Sequence, residues 1–283
     1  MSDSAVESPP KVRMTRTEFR ATAYLAGVSG LRMLGLFIVL PVLALYAASL
    51  PGGDDPAMIG FAIGVYGLAQ AVLQIPFGWA SDRVGRKPAI AFGLVVFAAG
   101  SFVGAWAPAI VCLAAGRTLQ GAGAVSAVVM ALAADLTRDE VRTRAMAMIG
   151  ITIGATFAVS LVAGPVLGST IGVPGIFVLT GLLAIAAIAV VQFGVPDPVA
   201  GARGHGGAGE RVALRRVLAD PQLLRLDFGI FALHAILMAL FVQVPFALRD
   251  AGIAPSRHWM VYLPVLVVSV GVVLPLFRSV DRP

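Results

Sequence analysis

Charge is scarce in this chain. Of 283 residues, 13% are Asp, Glu, Lys or Arg, and 58% are hydrophobic, with a mean hydropathy of +0.90. A soluble domain carries about 25% charged and roughly 45–50% apolar residues, so a water-soluble globule is excluded. Disorder is excluded with it, because disordered segments need low hydrophobicity and high charge. Cysteine is nearly absent. Cys112 alone cannot build a disulfide framework or most thiolate metal sites. The three histidines, His205, His234 and His258, are too dispersed for a histidine-rich metal motif. No G-x-S-x-G, H-E-x-x-H or phosphate loop occurs, so neither an enzyme nor a cofactor or metal site is expected.

What is present is a series of apolar runs. A hydrocarbon core of ~30 Å takes about 20 helical residues to cross. Eight runs qualify, near residues 24–50, 57–80, 88–108, 109–134, 146–168, 175–195, 223–247 and 259–277. Lipid offers the backbone no hydrogen bonds, so each run must be a helix. None shows the alternation of a membrane barrel. The predicted fold is therefore all-α, a polytopic membrane protein with eight spans. The first run is longer than a signal-peptide core of 7–15 residues and contains Arg32, so it reads as an uncleaved span.

The basic residues outnumber the acidic by 21 to 15, giving a charge of +6 and a pI near 10.2. In a soluble protein that would raise nucleic-acid binding. Here the basic residues fill the gaps between spans, and no nucleic acid is expected. With the N-terminus inside, 17 Lys and Arg fall in the N-tail, alternate loops and C-terminus. Arg249 and Arg257 alone fall outside, and Arg32 and Arg117 lie within spans. That asymmetry predicts cytoplasmic N- and C-termini.

The layout predicts a cytoplasmic tail at residues 1–22 and a six-helix bundle at 23–195. A Gly-rich basic linker follows at 196–221, then two spans of a second bundle at 222–283. Transporters are often built from repeated bundles, so four further spans are expected to belong to the complete assembly.

The loop between spans 2 and 3 reads Gly78-Trp79-Ala80-Ser81-Asp82-Arg83-Val84-Gly85-Arg86-Lys87-Pro88. Gly78 would let a helix end pack closely. Asp82 would accept from a helix N-terminus. Gly85 permits a tight turn. Arg83, Arg86 and Lys87 hold the loop at the interface, and Pro88 suits a first helical turn. Arg117 lies roughly 12 Å into span 4 at 1.5 Å per residue. A charge there costs at least ~2.5–3.5 kcal/mol and commonly faces a cavity or partner. Gln120 stands beside it. Arg32 either snorkels to the interface or serves function. His234 lies mid-span with a reference pKa of ~6.5, and is either a proton site or a neutral helix-packing group. Gln70 and Gln74 share a helix face, and either line a polar cavity or bond between helices. The pairs Gly60/Gly64, Gly100/Gly104 and Gly150/Gly154 read as close-packing faces. All fifteen carboxylates sit in tails, loops or near span ends, with Asp135 closing span 4.

The second loop resembles motif A of the major facilitator superfamily. Leu34-Gly35 with Pro41-Val42 resembles the first-span motif of its drug:proton antiporters. The run from Arg117 to Gly123 resembles motif B. The run from Ser160 to Ser169 resembles motif C, centred on Gly164, Pro165 and Gly168, with Ser at both ends where that motif has Gly. The chain also resembles the YajR-like branch, in the string from Leu31 to Gly35 and that from Leu40 to Leu43. The resemblance implies proton-coupled efflux of small amphipathic compounds by alternating access. It implies roles in proton coupling for Arg117 and His234, and it raises the functional reading of Arg32. It implies that Asp135 partners Arg86 in a cytoplasmic gate latch, with Asp82 capping a later span. Expected partners are membrane lipid, a small-molecule substrate and protons. The expected location is a bacterial inner membrane, as the Ala- and Arg-rich composition suggests. Two other readings stand beside this: a truncated, transport-incompetent fragment, and a non-transporting membrane sensor or partner. A second chain supplying the missing spans would favour the latter, or a split transporter.

Overall fold

The computed structural model describes residues 13–197 and 219–280, the last eight as backbone only. Most of the expected linker and the first twelve residues lie outside the described residues. Among those described there are ten α-helices and no strand.

Span 1 begins earlier than its apolar run. Thr15 and Glu18 form a capping box that starts α1 (Arg16–Phe37): Thr15 Oγ1 accepts from the Glu18 N–H at 3.2 Å, and Glu18 Oε2 accepts from the Thr15 N–H at 2.7 Å. Pro41 has no N–H to continue the ladder, so the span breaks and resumes as α2 (Leu40–Ser49). Span 2 is α3 (Pro56–Val84), capped by Asp55 and ended at Gly85 with φ 101°. Span 3 is α4 (Arg86–Ala105). Span 4 is two helices, α5 (Ile110–Ala122) and α6 (Ser126–Asp135), separated at residues 123–125. Span 5 is α7 (Asp139–Thr170). Span 6 is α8 (Gly172–Ala189), which ends in a π-helical turn, Val190–Gly194. Span 7 is α9 (Pro221–Asp250). A 3₁₀ turn, Pro255–Arg257, leads to α10 (Trp259–Val280), where span 8 was expected. The first seven spans are long and apolar enough to cross a membrane.

α1 packs on α7 and α8, α4 on α5 and α8, and α3 on α5. One core cluster lies toward the end bearing the basic loops, around Leu25, Ile90, Leu132 and Val191. A second lies at the opposite end, around Leu43, Ile63, Leu113 and Phe177, and includes Phe241 of α9. Phe37, Phe157 and Phe241 continue it as edge-to-face aromatic pairs at 5.1 and 6.2 Å. α9 buries only Phe241 and Pro245, both in its second half, while residues 223–231 are exposed. Spans 7 and 8 therefore touch the six-helix bundle at the end away from the basic loops. Contact closes that end, while the half of α9 toward the basic loops has no buried residue.

His258 anchors that closed end. It is fully buried, with Nε2 3.1 Å from the Ile253 carbonyl and its ring edge-on to Tyr262 at 6.2 Å. Burial holds its pKa below the ordinary value of 6.5. The folded chain then binds fewer protons than the unfolded one as pH falls below about 6.5, and stability drops with acidification. Thermal unfolding in detergent between pH 7.5 and 5 is expected to show a falling Tm, and His258→Gln is expected to flatten that slope.

Candidate functional site

The loop between α3 and α4 is organised by one side chain, Arg86. It starts α4 immediately after Gly85, whose positive φ turns the chain. Its Nη1 reaches Asp82 Oδ1 at 2.6 Å and donates to Ser81 Oγ at 2.7 Å. Its Nε donates to Asp135 Oδ2 at 3.3 Å, across from the end of α6. Spans 2, 3 and 4 are thus tied at one point. Lys87 pairs with Asp197 at 3.0 Å, joining the loop to the segment after span 6. Arg83 is exposed, with no ion pair among the described residues.

A Cβ at Gly78 would meet nothing within 4 Å among the described residues, and the Gly78 carbonyl accepts from Ser81 Oγ at 2.6 Å. Asp82 pairs with Arg86 one turn later.

Deeper in the bundle lie the two intramembrane arginines. Arg32 does not snorkel: it is 2% exposed, and the break at residues 123–125 brings acceptors within its reach. It donates to Ser126 Oγ at 2.7 Å, Tyr66 Oη at 2.9 Å, Gln70 Oε1 at 3.0 Å and the Gly123 carbonyl at 3.4 Å. Arg117 donates to Gln120 Oε1 at 2.8 Å, and Gln120 donates onward to Ser101 Oγ at 2.8 Å. The Arg117 guanidinium lies over the Tyr66 ring, 4.7 Å from its centroid. Such a desolvated cation–π contact is worth about 2 kcal/mol. Gln70 thus bonds between helices.

Gly164 and Gly168 of α7 face the break in span 1. A Cβ at Gly164 would collide with the Ile38 carbonyl and lie 3.3 Å from Pro41 Cγ. One at Gly168 would lie 3.1 Å from Val42 Cγ1. Gly164 and Pro165 are both buried. Of the three glycine pairs, Gly100/Gly104 packs tightly, on Gly116 and Phe177. Among the described residues nothing lies within 4 Å of a Cβ at Gly60, Gly64, Gly150 or Gly154, so those two pairs pack on no described neighbour. The same spacing suits both situations, and only the neighbouring backbone distinguishes them.

His234 stands apart. Its ring is exposed on α9, with Nδ1 2.9 Å from the Ile230 carbonyl of its own helix. Among the described residues it makes no hydrogen bond with either arginine.

Sequence reasoning passed over several partners. Tyr66 joins the two arginines, and its i,i+4 spacing to Gln70 was the available signal. Ser101, Ser126 and Asp197 gave none. Glu18 accepts from the Arg138 side chain at 2.8 Å and so pins the start of α1 to the loop before α7.

The comparisons with known proteins agree with this architecture. The Major Facilitator Superfamily model matches residues 25–282. The chain is 47% identical over 272 residues to the inner membrane transport protein YajR of Escherichia coli, covering 95% of this chain and 60% of that protein. It is 29% identical over 242 residues to the class G tetracycline resistance protein of Vibrio anguillarum, covering 83% and 57%. Among solved structures, a D-xylose–proton symporter superposes with a TM-score of 0.68 at 14% identity, covering 94% of this chain and 69% of that one. The chain therefore spans about 60% of the length of these two curated relatives. A multi-pass helical chain with a family match along nearly its whole length belongs to the major facilitator superfamily.

Proposed function

We propose that the complete protein exports small amphipathic compounds across a bacterial inner membrane, coupled to protons, by alternating access. Residues 23–195 form its first bundle, 196–221 the linker, and 222–283 the opening of its second bundle. Both described termini face the cytoplasm, as the Lys and Arg bias supports. The observation that carries this reading is that spans 7 and 8 meet the six-helix bundle at the end away from the basic loops, while the first half of α9 has no buried residue. Two bundles in contact at one end are one state of a two-state device. In the opposite state the motif A loop would meet the second bundle, and Arg86, through Asp82 and Asp135, holds that loop in shape as the first bundle's half of the latch. Gly164 and Pro165, packed on the break in span 1, supply a rigid contact about which the spans pivot. In this reading Arg32, Arg117 and Gln120 belong to the transport and proton-coupling site, and His234 would join it only in another state.

The leucines and phenylalanines exposed on α9, such as Leu226, Phe228 and Phe231, need lipid or further spans against them.

The latch is tested by a double-mutant cycle on export rate. Arg86→Ala and Asp135→Asn are each expected to slow export about tenfold, and the double variant is expected to be no slower than either alone. Fully multiplicative losses would show that the two residues act independently and would remove the latch.

A further inference from the structure

Two guanidinium groups sit inside the bundle with no negative charge beside them. Arg32 is 2% exposed and Arg117 1%. Every acceptor around them is neutral: the oxygens of Ser126, Tyr66, Gln70 and Gly123 for Arg32, and of Gln120 for Arg117. Among the described residues no carboxylate pairs with either. The sequence places every acidic residue at or beyond the span ends. In both side chains the buried Nε–H finds no acceptor.

Tyr66 makes one cluster of the two. Its hydroxyl accepts from Arg32 at 2.9 Å while its ring carries Arg117 at 4.7 Å. Arginine keeps its proton throughout the physiological range, so titration does not relieve these charges. Two like charges held together out of water destabilise the empty site. The arrangement is stable against that cost when a bound group brings the missing charge. A guanidinium fork matches a carboxylate or phosphate in geometry, with two parallel N–H donors. Gln70 and Ser126 are the half-buried members of the cluster and mark its outer side.

Resting on the transport reading above, we infer that the Arg32–Tyr66–Arg117 cluster is an oxyanion-binding site, and that the transported compound presents a carboxylate or phosphate group to it.

The test uses the full-length protein purified in detergent. Equilibrium dialysis measures binding of labelled benzoate and phenyl phosphate, with benzamide as the neutral isostere. One oxyanion is expected to bind at least tenfold tighter than benzamide; which one identifies the group carried. Arg32→Gln and Arg117→Gln are each expected to weaken that binding at least tenfold. Tyr66→Phe, which removes a single hydroxyl, keeps the test informative if those variants misfold, and it is expected to weaken binding severalfold. Equal retention of all three probes overturns the inference, as does oxyanion binding that is unchanged in Tyr66→Phe and in the folded arginine variants. Displacement by an equal concentration of chloride also overturns it, by marking a halide site. Binding without movement of the probe across proteoliposomes would refute transport and leave the site standing. Movement of other compounds without oxyanion binding would refute the site and leave transport standing.

Discussion

Gly164→Ala is expected to abolish the folded, monodisperse protein or lower its stability by several kcal/mol. The added methyl would overlap the Ile38 carbonyl and press on Pro41 at the break between α1 and α2. Overpacking a well-filled core typically costs about 1–3 kcal/mol, and here the obstacle is backbone, which cannot swing away as a side chain can. Gly154→Ala, ten residues earlier on the same helix, is the matched control. Among the described residues nothing lies within 4 Å of its added methyl, and alanine gains about 1 kcal/mol over glycine in helix propensity. Its Tm is expected to equal or exceed the parent's. Fluorescence size-exclusion after a heating series checks both. Equal behaviour of the two variants would show that α7 does not rest on the break in span 1.

Arg117→Met is expected to separate stability from activity. The change removes one hydrogen bond to Gln120 and one cation–π contact with Tyr66, together worth about 2–3 kcal/mol. It also removes a buried charge whose desolvation costs several kcal/mol. The Tm is therefore expected to hold or rise, while export falls about a hundredfold, as loss of a buried charge contact of 2–5 kcal/mol implies. A chain that unfolds while the surviving fraction still exports at the parental rate would make Arg117 a structural brace.

The spans were legible in the sequence because lipid forces each apolar run into a helix, whatever its neighbours. The Arg86–Asp135 contact was reached through the family resemblance, and the structure places the two side chains in contact. The break at residues 123–125 was not legible. Its glycines resemble any small-residue patch, and only the acceptors they expose to Arg32 give the break its consequence. The role of Tyr66 was hidden for a related reason: an aromatic in a span is ordinarily core, and two arginines from distant spans must converge on it before it means more. Gly150 and Gly154 show the opposite failure, a close-packing spacing with nothing in the described chain to pack against. His234 was read from its depth in a span, but depth does not say which side of the helix faces the six-helix bundle.

The most direct test of the account is export by everted membrane vesicles containing the full-length protein, energised so that their interior is acidic. Labelled amphipathic acids, neutral compounds and bases are offered in turn. The account predicts that vesicles accumulate at least one compound, that a protonophore collapses the accumulation, and that Arg117→Met vesicles with equal amounts of folded protein fail to accumulate it. Parental vesicles that accumulate no compound beyond the Arg117→Met level would contradict proton-coupled export.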